Sequence, residues 1–140
     1  MPILNYTTKI DVYRTIGEIQ GTLVKHGARK ILQEYDEKQR LSAISFVIGT
    51  RFGDVPIRMP ANVDAVEKVL KRQRVNSDRE QAERVAWRIL KDWTEAQTAI
   101  LESEMVRMEE IFLPYIVQKS GKTLFEILEE KQQLMLEGET

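Results

Sequence analysis

From Asn76 to Leu113 the chain runs without a proline or a glycine, and this stretch most limits what it can become. Ala82, Ala86, Ile89, Leu90, Trp93, Ala96, Ile100 and Leu101 recur at spacings of three and four, one apolar stripe on a helix. Ser77 or Asp78 stands where an N-cap belongs, with an acid in the first turn to suit the macrodipole. The spacing predicts a long helix that bends near Glu102-Ser103-Glu104 and carries its stripe on through Met105, Met108, Ile111 and Phe112 to Pro114. A helix of that length needs other elements to cover it.

The preceding residues supply them. Tyr6 to Ile10 is β-prone, a strand or an extended lead-in. Asp11 caps a helix with Val12, Ile16, Ile19, Leu23 and Val24 on its apolar face, ended by His26-Gly27. Gly17 and Gly21 share one face of it, which suggests a close backbone approach. Arg29–Tyr35 reads as a strand, Asp36–Arg40 as a polar turn, and Leu41–Thr50 as the clearest strand, with Ile44, Phe46 and Ile48 alternating onto one side. Arg51-Phe52-Gly53-Asp54 is a hairpin turn; Val55–Met59 returns, with Pro56 restricting it to an edge or to a position whose N–H is unused. Asn62 caps a helix over 63–72. After the long helix, Thr123 with Glu126 forms a capping box for a last helix whose core face is Leu124, Ile127, Leu128 and Leu134, and Glu137–Thr140 should fray. The expected fold is α+β: a small antiparallel sheet of three or four strands packed by helices, with a long C-terminal helix and a short final one. It forms one domain over residues 1–140, a sheet part over 1–75 and a helical part over 76–140.

The candidate chemistry is sparse. With one histidine and no cysteine, the usual zinc sites and thiolate chemistry are excluded. His26 reads as a helix C-terminal residue, and no spacing offers it a nucleophile or an orienting partner. Gly121-Lys122-Thr123 is no phosphate loop, because Ile116 stands where such a loop requires a glycine. No catalytic residue, metal ligand or cofactor is expected, and the chain reads as a non-enzyme.

Basic residues are the one constellation that suits a ligand. Residues 1–75 hold 13 Lys and Arg against 8 Asp and Glu, whereas residues 76–140 hold 8 against 14. The first half could meet an anion; head-to-tail complementarity between subunits or halves is the alternative. Lys68, Lys71, Arg72 and Arg74 crowd the end of one helix, and Arg84, Arg88 and Lys91 share a face of the next. If Arg51, Arg58, Lys71, Arg72, Arg84 and Arg88 converge, they make a seat for phosphates, with Trp87 as a stacking ring. The competing reading is a solvated face of ion pairs such as Arg88 with Asp92 and Lys91 with Glu95.

Several segments together resemble a family of small, largely uncharacterised bacteriophage and prophage proteins. They are Thr15–Ile19 with Lys25–Ala28, Ala43–Phe46, Met59–Asn62, Arg84–Trp93 and Ile111–Tyr115. The resemblance spans most of the chain. It implies a viral setting in the host bacterial cytoplasm and brings no catalytic residue with it. The expected function is a non-catalytic binding protein that counters host defence, by sequestering an anionic nucleotide signal or by blocking a host protein. The alternative is a nucleic-acid-binding accessory of phage replication or recombination: the helix–three strands–helix order of 12–72 resembles the double-stranded-RNA-binding topology, but a pI near 6 argues against a dominant phosphate-backbone binder. A homo-oligomer is expected, most simply a dimer through the long helix, with Trp87, Met105 and Met108 as surplus apolar surface. No membrane association is expected.

Overall fold

A computed structural model describes the backbone of residues 2–138 and the side chains of residues 2–133. Residues 4–7 form a turn, not a strand, and the chain then extends into Asp11. The Asp11 carboxylate accepts from the Tyr13 amide at 3.0 Å and starts α1, Val12–Lys25. His26 ends it, and Gly27 takes the left-handed conformation (φ 97°) that breaks the helix. Thr15, Ile16, Ile19 and Leu23 are buried. Gly17 and Gly21 lie on the exposed side, and a Cβ at either would meet nothing within 4 Å. No backbone approaches there, so the close-approach expectation is corrected.

β1 (Arg29–Tyr35), β2 (Leu41–Thr50) and β3 (Gly53–Pro60) form an antiparallel meander in the order β1-β2-β3. Ile44 stands opposite Met59, Phe46 opposite Ile57 and Ile48 opposite Val55, so the alternation read in the sequence makes one apolar face. Pro56 accepts a bond from the Val117 amide at 2.9 Å. The amide and carbonyl of a strand residue point to the same side, so the donor that proline lacks belonged to the outer edge and not to the β2 ladder. Ile116 bridges Ile57 on that edge.

Asn62 caps α2 (Val63–Arg72) by accepting from the Ala65 amide at 3.1 Å, and Asp78 caps α3 (Arg79–Glu102) by accepting from Gln81 at 2.8 Å. α3 packs against both α1 and α2. Ala82 and Ala86 meet Val63 and Leu70, while Trp87 enters the main core with Ile16, Phe46, Met59 and Phe112. One core thus draws on both halves of the chain. No helix among the described residues is long and apolar enough to cross a membrane.

The long helix does not reach Phe112. It stops at Glu102, Ser103 folds its hydroxyl onto the Ile100 carbonyl at 2.5 Å, and Glu104 turns left-handed at φ 63°. A helix continued through residue 112 would carry Phe112 about 15 Å beyond Glu102. Reversal instead returns Phe112 to the core, fully buried and edge-on to Phe46 (5.3 Å between centroids) and Trp93 (5.8 Å). α4 (Met108–Ile111) and a 3₁₀ turn at Leu113–Tyr115 make the return. The last helix, α5 (Leu124–Gly138), starts with the expected capping box: the Thr123 amide donates to Glu126 Oε1 at 2.9 Å, and the Glu126 amide donates to Thr123 Oγ1 at 3.3 Å. The Leu134 side chain and residues 139–140 lie outside the described parts, while the backbone is helical through Gly138. The whole is an α+β fold, with the three-stranded sheet, the long α3 and a short final helix.

Candidate functional site: a cationic groove at the start of the long helix

The basic residues singled out in the sequence are dispersed. Arg51 is at the hairpin tip, its guanidinium 4.7 Å from the Phe52 ring centre and 4.0 Å from Glu109. Arg58 binds Glu34 at 3.1 Å on the sheet, where Ser45 donates to the same carboxylate at 2.6 Å. Lys71 faces Glu67 at 3.6 Å, and Arg72 is exposed at the end of α2. Arg88, its side chain only 12% exposed, binds Glu18 at 2.5 Å and ties α3 to α1. It therefore pairs with Glu18 and not with the Asp92 suggested by helix spacing; Lys91 does pair with Glu95, at 2.9 Å. Trp87 has no exposed surface, so it is neither a stacking ring nor surplus for a dimer. Trp87 lies wholly within the main core, and Trp93 packs half-buried against that core. The seven residues do not make one seat.

Arg84 alone among them lines a groove. Tyr6, Thr7 and Lys9 form one wall, and Val75–Asp78, Gln81 and Arg84 form the other, around about 550 Å³. Gln81 builds it. Its side-chain amide donates to the carbonyls of Tyr6 (3.0 Å) and Thr8 (2.8 Å), which holds the N-terminal segment against α3. Its oxygen accepts from Arg84 Nε (3.0 Å) and Nη2 (2.6 Å). Arg84 is thus oriented by a neutral amide and takes part in no ion pair among the described residues, although it also lines a hollow with Asp11, Glu80 and Glu83. Asn5 reinforces the segment by donating to Asp92 at 2.8 Å, and the Ile3 amide donates to Gln73 at 2.7 Å.

Among the described residues, neither Lys9 nor Arg84 takes part in an ion pair. The one carboxylate on the wall, Asp78, is engaged as the cap of α3. Ser77 Oγ is shielded from solvent and has no hydrogen-bond partner. Two cations outside any ion pair on one open surface suit an anion with several acceptor oxygens.

A second groove, of about 710 Å³, is lined by Asp36, Glu37, Lys38, Arg40, Asp64, Glu67 and Arg79. Its two arginines are paired: Arg79 binds Asp64 at 2.6 Å and approaches Glu67 at 3.7 Å, and Arg40 binds Glu83 at 2.8 Å. The bond from Arg79 holds the Asp64 carboxyl below the usual carboxylate range, and Asp64 in turn raises Arg79. This seam joins the β1–β2 turn to α2 and α3, and on its rim Glu37 and Lys38 take part in no ion pair among the described residues.

His26 caps α1. Its Nδ1 donates to the Thr22 carbonyl at 2.8 Å, and Nε2 lies 3.4 Å from Glu102. It joins the C-terminal ends of α1 and α3, which is the structural role its sequence position suggested. Lys122, in the turn before α5, pairs with Glu130.

Sequence reasoning missed Tyr6, Lys9, Ser77 and Gln81. Asp78 and Gln81 have capping-box spacing, but nothing local reveals that the glutamine side chain reaches across to a segment some 70 positions earlier. Comparison with protein-family models, with curated proteins and with solved structures finds no match to this chain.

Proposed function

We infer that this is a non-catalytic binding protein whose groove at the start of α3 takes a phosphate-bearing anion of nucleotide type. The observation that carries the reading is the pair Lys9 and Arg84, two cations without carboxylate partners on one groove. Ammonium and guanidinium groups bind phosphate oxygens by charge-assisted bonds, and Arg84 is already oriented for it. Tyr6, about a third exposed, offers a ring edge or face to a base. In the viral setting implied by the sequence resemblance, such a protein holds a host signalling nucleotide away from its receptor.

Thermal unfolding against nucleotides, cyclic dinucleotides, ADP-ribose derivatives and pyrophosphate tests this. A ligand at about 100 times its Kd stabilises the fold by about 2.7 kcal/mol, a rise of several degrees. Lys9→Ala with Arg84→Ala should abolish the rise while leaving the circular dichroism spectrum unchanged. A rise that survives both substitutions removes the groove from the reading. Chromatography of the recovered ligand tests the non-catalytic part: intact ligand supports it, and a degraded one overturns it.

A nucleic-acid accessory is the second reading, favoured by the exposed Lys68, Lys71, Arg72 and Arg74 and by the α1–β1–β2–β3–α2 order. Here, however, α2 packs on α3, which lies between it and α1. Binding of duplex RNA with a steep loss of affinity on raising salt would favour this reading.

A further inference from the structure

We propose that residues 2–10 form a strap whose closure governs the groove: Gln81 latches the strap to α3, and an anion bridging Lys9 and Arg84 fastens it further. Closure by a ligand rests on the groove reading above, whereas the latch does not. The segment before α1 contains neither helix nor strand, and its own bonds are local. The Tyr6 amide donates to the Ile3 carbonyl at 3.2 Å, the Thr8 amide to the Asn5 carbonyl at 3.0 Å, and the Ile10 amide to the Thr8 hydroxyl at 3.2 Å. Side-chain bonds tie it to the rest of the molecule: two from Gln81, one from Asn5 to Asp92 and one from Ile3 to Gln73. Ile3 packs on the smaller apolar cluster, while Leu4 is 63% exposed. A segment held by a few accessible bonds and little apolar burial opens at far lower cost than the core.

Gln81 makes that opening matter to the groove. A carbonyl only accepts and a guanidinium only donates, so the amide can be turned one way. Its nitrogen faces the Tyr6 and Thr8 carbonyls, and its oxygen faces Arg84 Nε and Nη2. One planar group therefore holds the strap and orients the arginine. When the strap lifts, the nitrogen loses both acceptors, and the oxygen that positions Arg84 is no longer anchored. Tyr6, Thr7 and Lys9 leave together, and with them one wall of the groove.

Lys9 and Arg84 thus face a common ligand in the latched form. An anion held by both is an added tie between the strap and α3, so it draws the equilibrium toward closure. By the same linkage, whatever lifts the strap weakens binding of the anion.

Amide hydrogen exchange on the full chain tests both parts, read at Tyr6, Thr8 and Ile10. In the wild type these amides should exchange well ahead of those in α1 and α3. Gln81→Ala removes both latch bonds at a position that suits alanine, and should speed exchange at the three amides about tenfold while α1 and α3 stay far more protected. Pyrophosphate is the probe for closure. At about 100 times its Kd, measured by calorimetry, it should slow exchange at the same amides at least about tenfold. Lys9→Gln should leave exchange of the unliganded strap as it is and abolish the slowing. Strap amides that exchange only together with α1 and α3, or equally fast in Gln81→Ala and wild type, overturn the latch. Pyrophosphate that binds and loses affinity in Arg84→Ala, yet leaves strap exchange unchanged, overturns the closure and leaves the groove reading in place. Pyrophosphate that does not bind at all removes the groove reading and the closure together.

Discussion

Two glycines on the open side of α1 and one tryptophan at the centre of the molecule show how differently single residues bear on this fold. Gly17 and Gly21 have no packing role, since a methyl group at either would project into open space. Glycine inside a helix costs about 1 kcal/mol relative to alanine. Gly17→Ala and Gly21→Ala should therefore each stabilise the protein by up to about 1 kcal/mol, raising the calorimetric Tm by about 4 °C. A loss of stability would mean that the helix face is engaged by something outside the chain. Trp87 presents the reverse case. It is the largest fully buried side chain and its Nε1 donor has no partner. A buried unsatisfied donor is costly, and the apolar contact of the indole with both the sheet and α1 offsets it. Arg88 was legible as a basic helical residue but not as a strut: its partner Glu18 is remote in sequence, and only the packing of α3 on α1 brings the two together.

At the level of elements, local signals that act within a few residues were readable. The caps Asp11, Asn62, Asp78 and Thr123, the alternation of β2 and the edge position of Pro56 all follow from chemistry contained in short stretches. The end of α3 was not. It needs neither glycine nor proline, because Ser103 supplies a side-chain bond and Glu104 accepts a left-handed backbone. What favours the reversal is the burial of Phe112 against Phe46 and Trp93, a tertiary gain invisible to periodicity. The capping box of α5 leads to a pH prediction. The Thr123 amide bond holds the Glu126 carboxyl below the ordinary glutamate value of 4.5. A depressed carboxyl stabilises the folded form above its unfolded pKa, and that contribution disappears as pH falls through the lower, folded value. Glu126 is exposed, so the effect is local. On acidification below 4.5 the Thr123 amide resonance should shift as the bond weakens. Glu126→Gln, which keeps the accepting oxygen and loses the titration, should flatten that shift. An unchanged profile in the variant would assign the titration to another group.

For the molecule as a whole, the two halves that differ in charge share the main core, in which Ile16, Phe46, Trp87 and Phe112 come from four separate segments, and the smaller cluster of Val63, Leu70, Ala82 and Ala86 also draws on both. The charge difference is thus a property of the surface and not of two folding units. The groove was not legible beforehand, because Gln81 and Asn5 join the N-terminal segment to α3 across more than 70 positions of sequence.

The burial of Trp87 and the half-burial of Trp93 against Phe112 and Tyr115 also decide how the protein can be watched. Both fluorophores report on the core, and the groove contains tyrosine and no indole. Emission of the native state should be blue-shifted and should move to the red in one step on unfolding. A ligand filling the groove should leave that emission unchanged, so a titration followed by intrinsic fluorescence would be blind to the binding event that calorimetry detects.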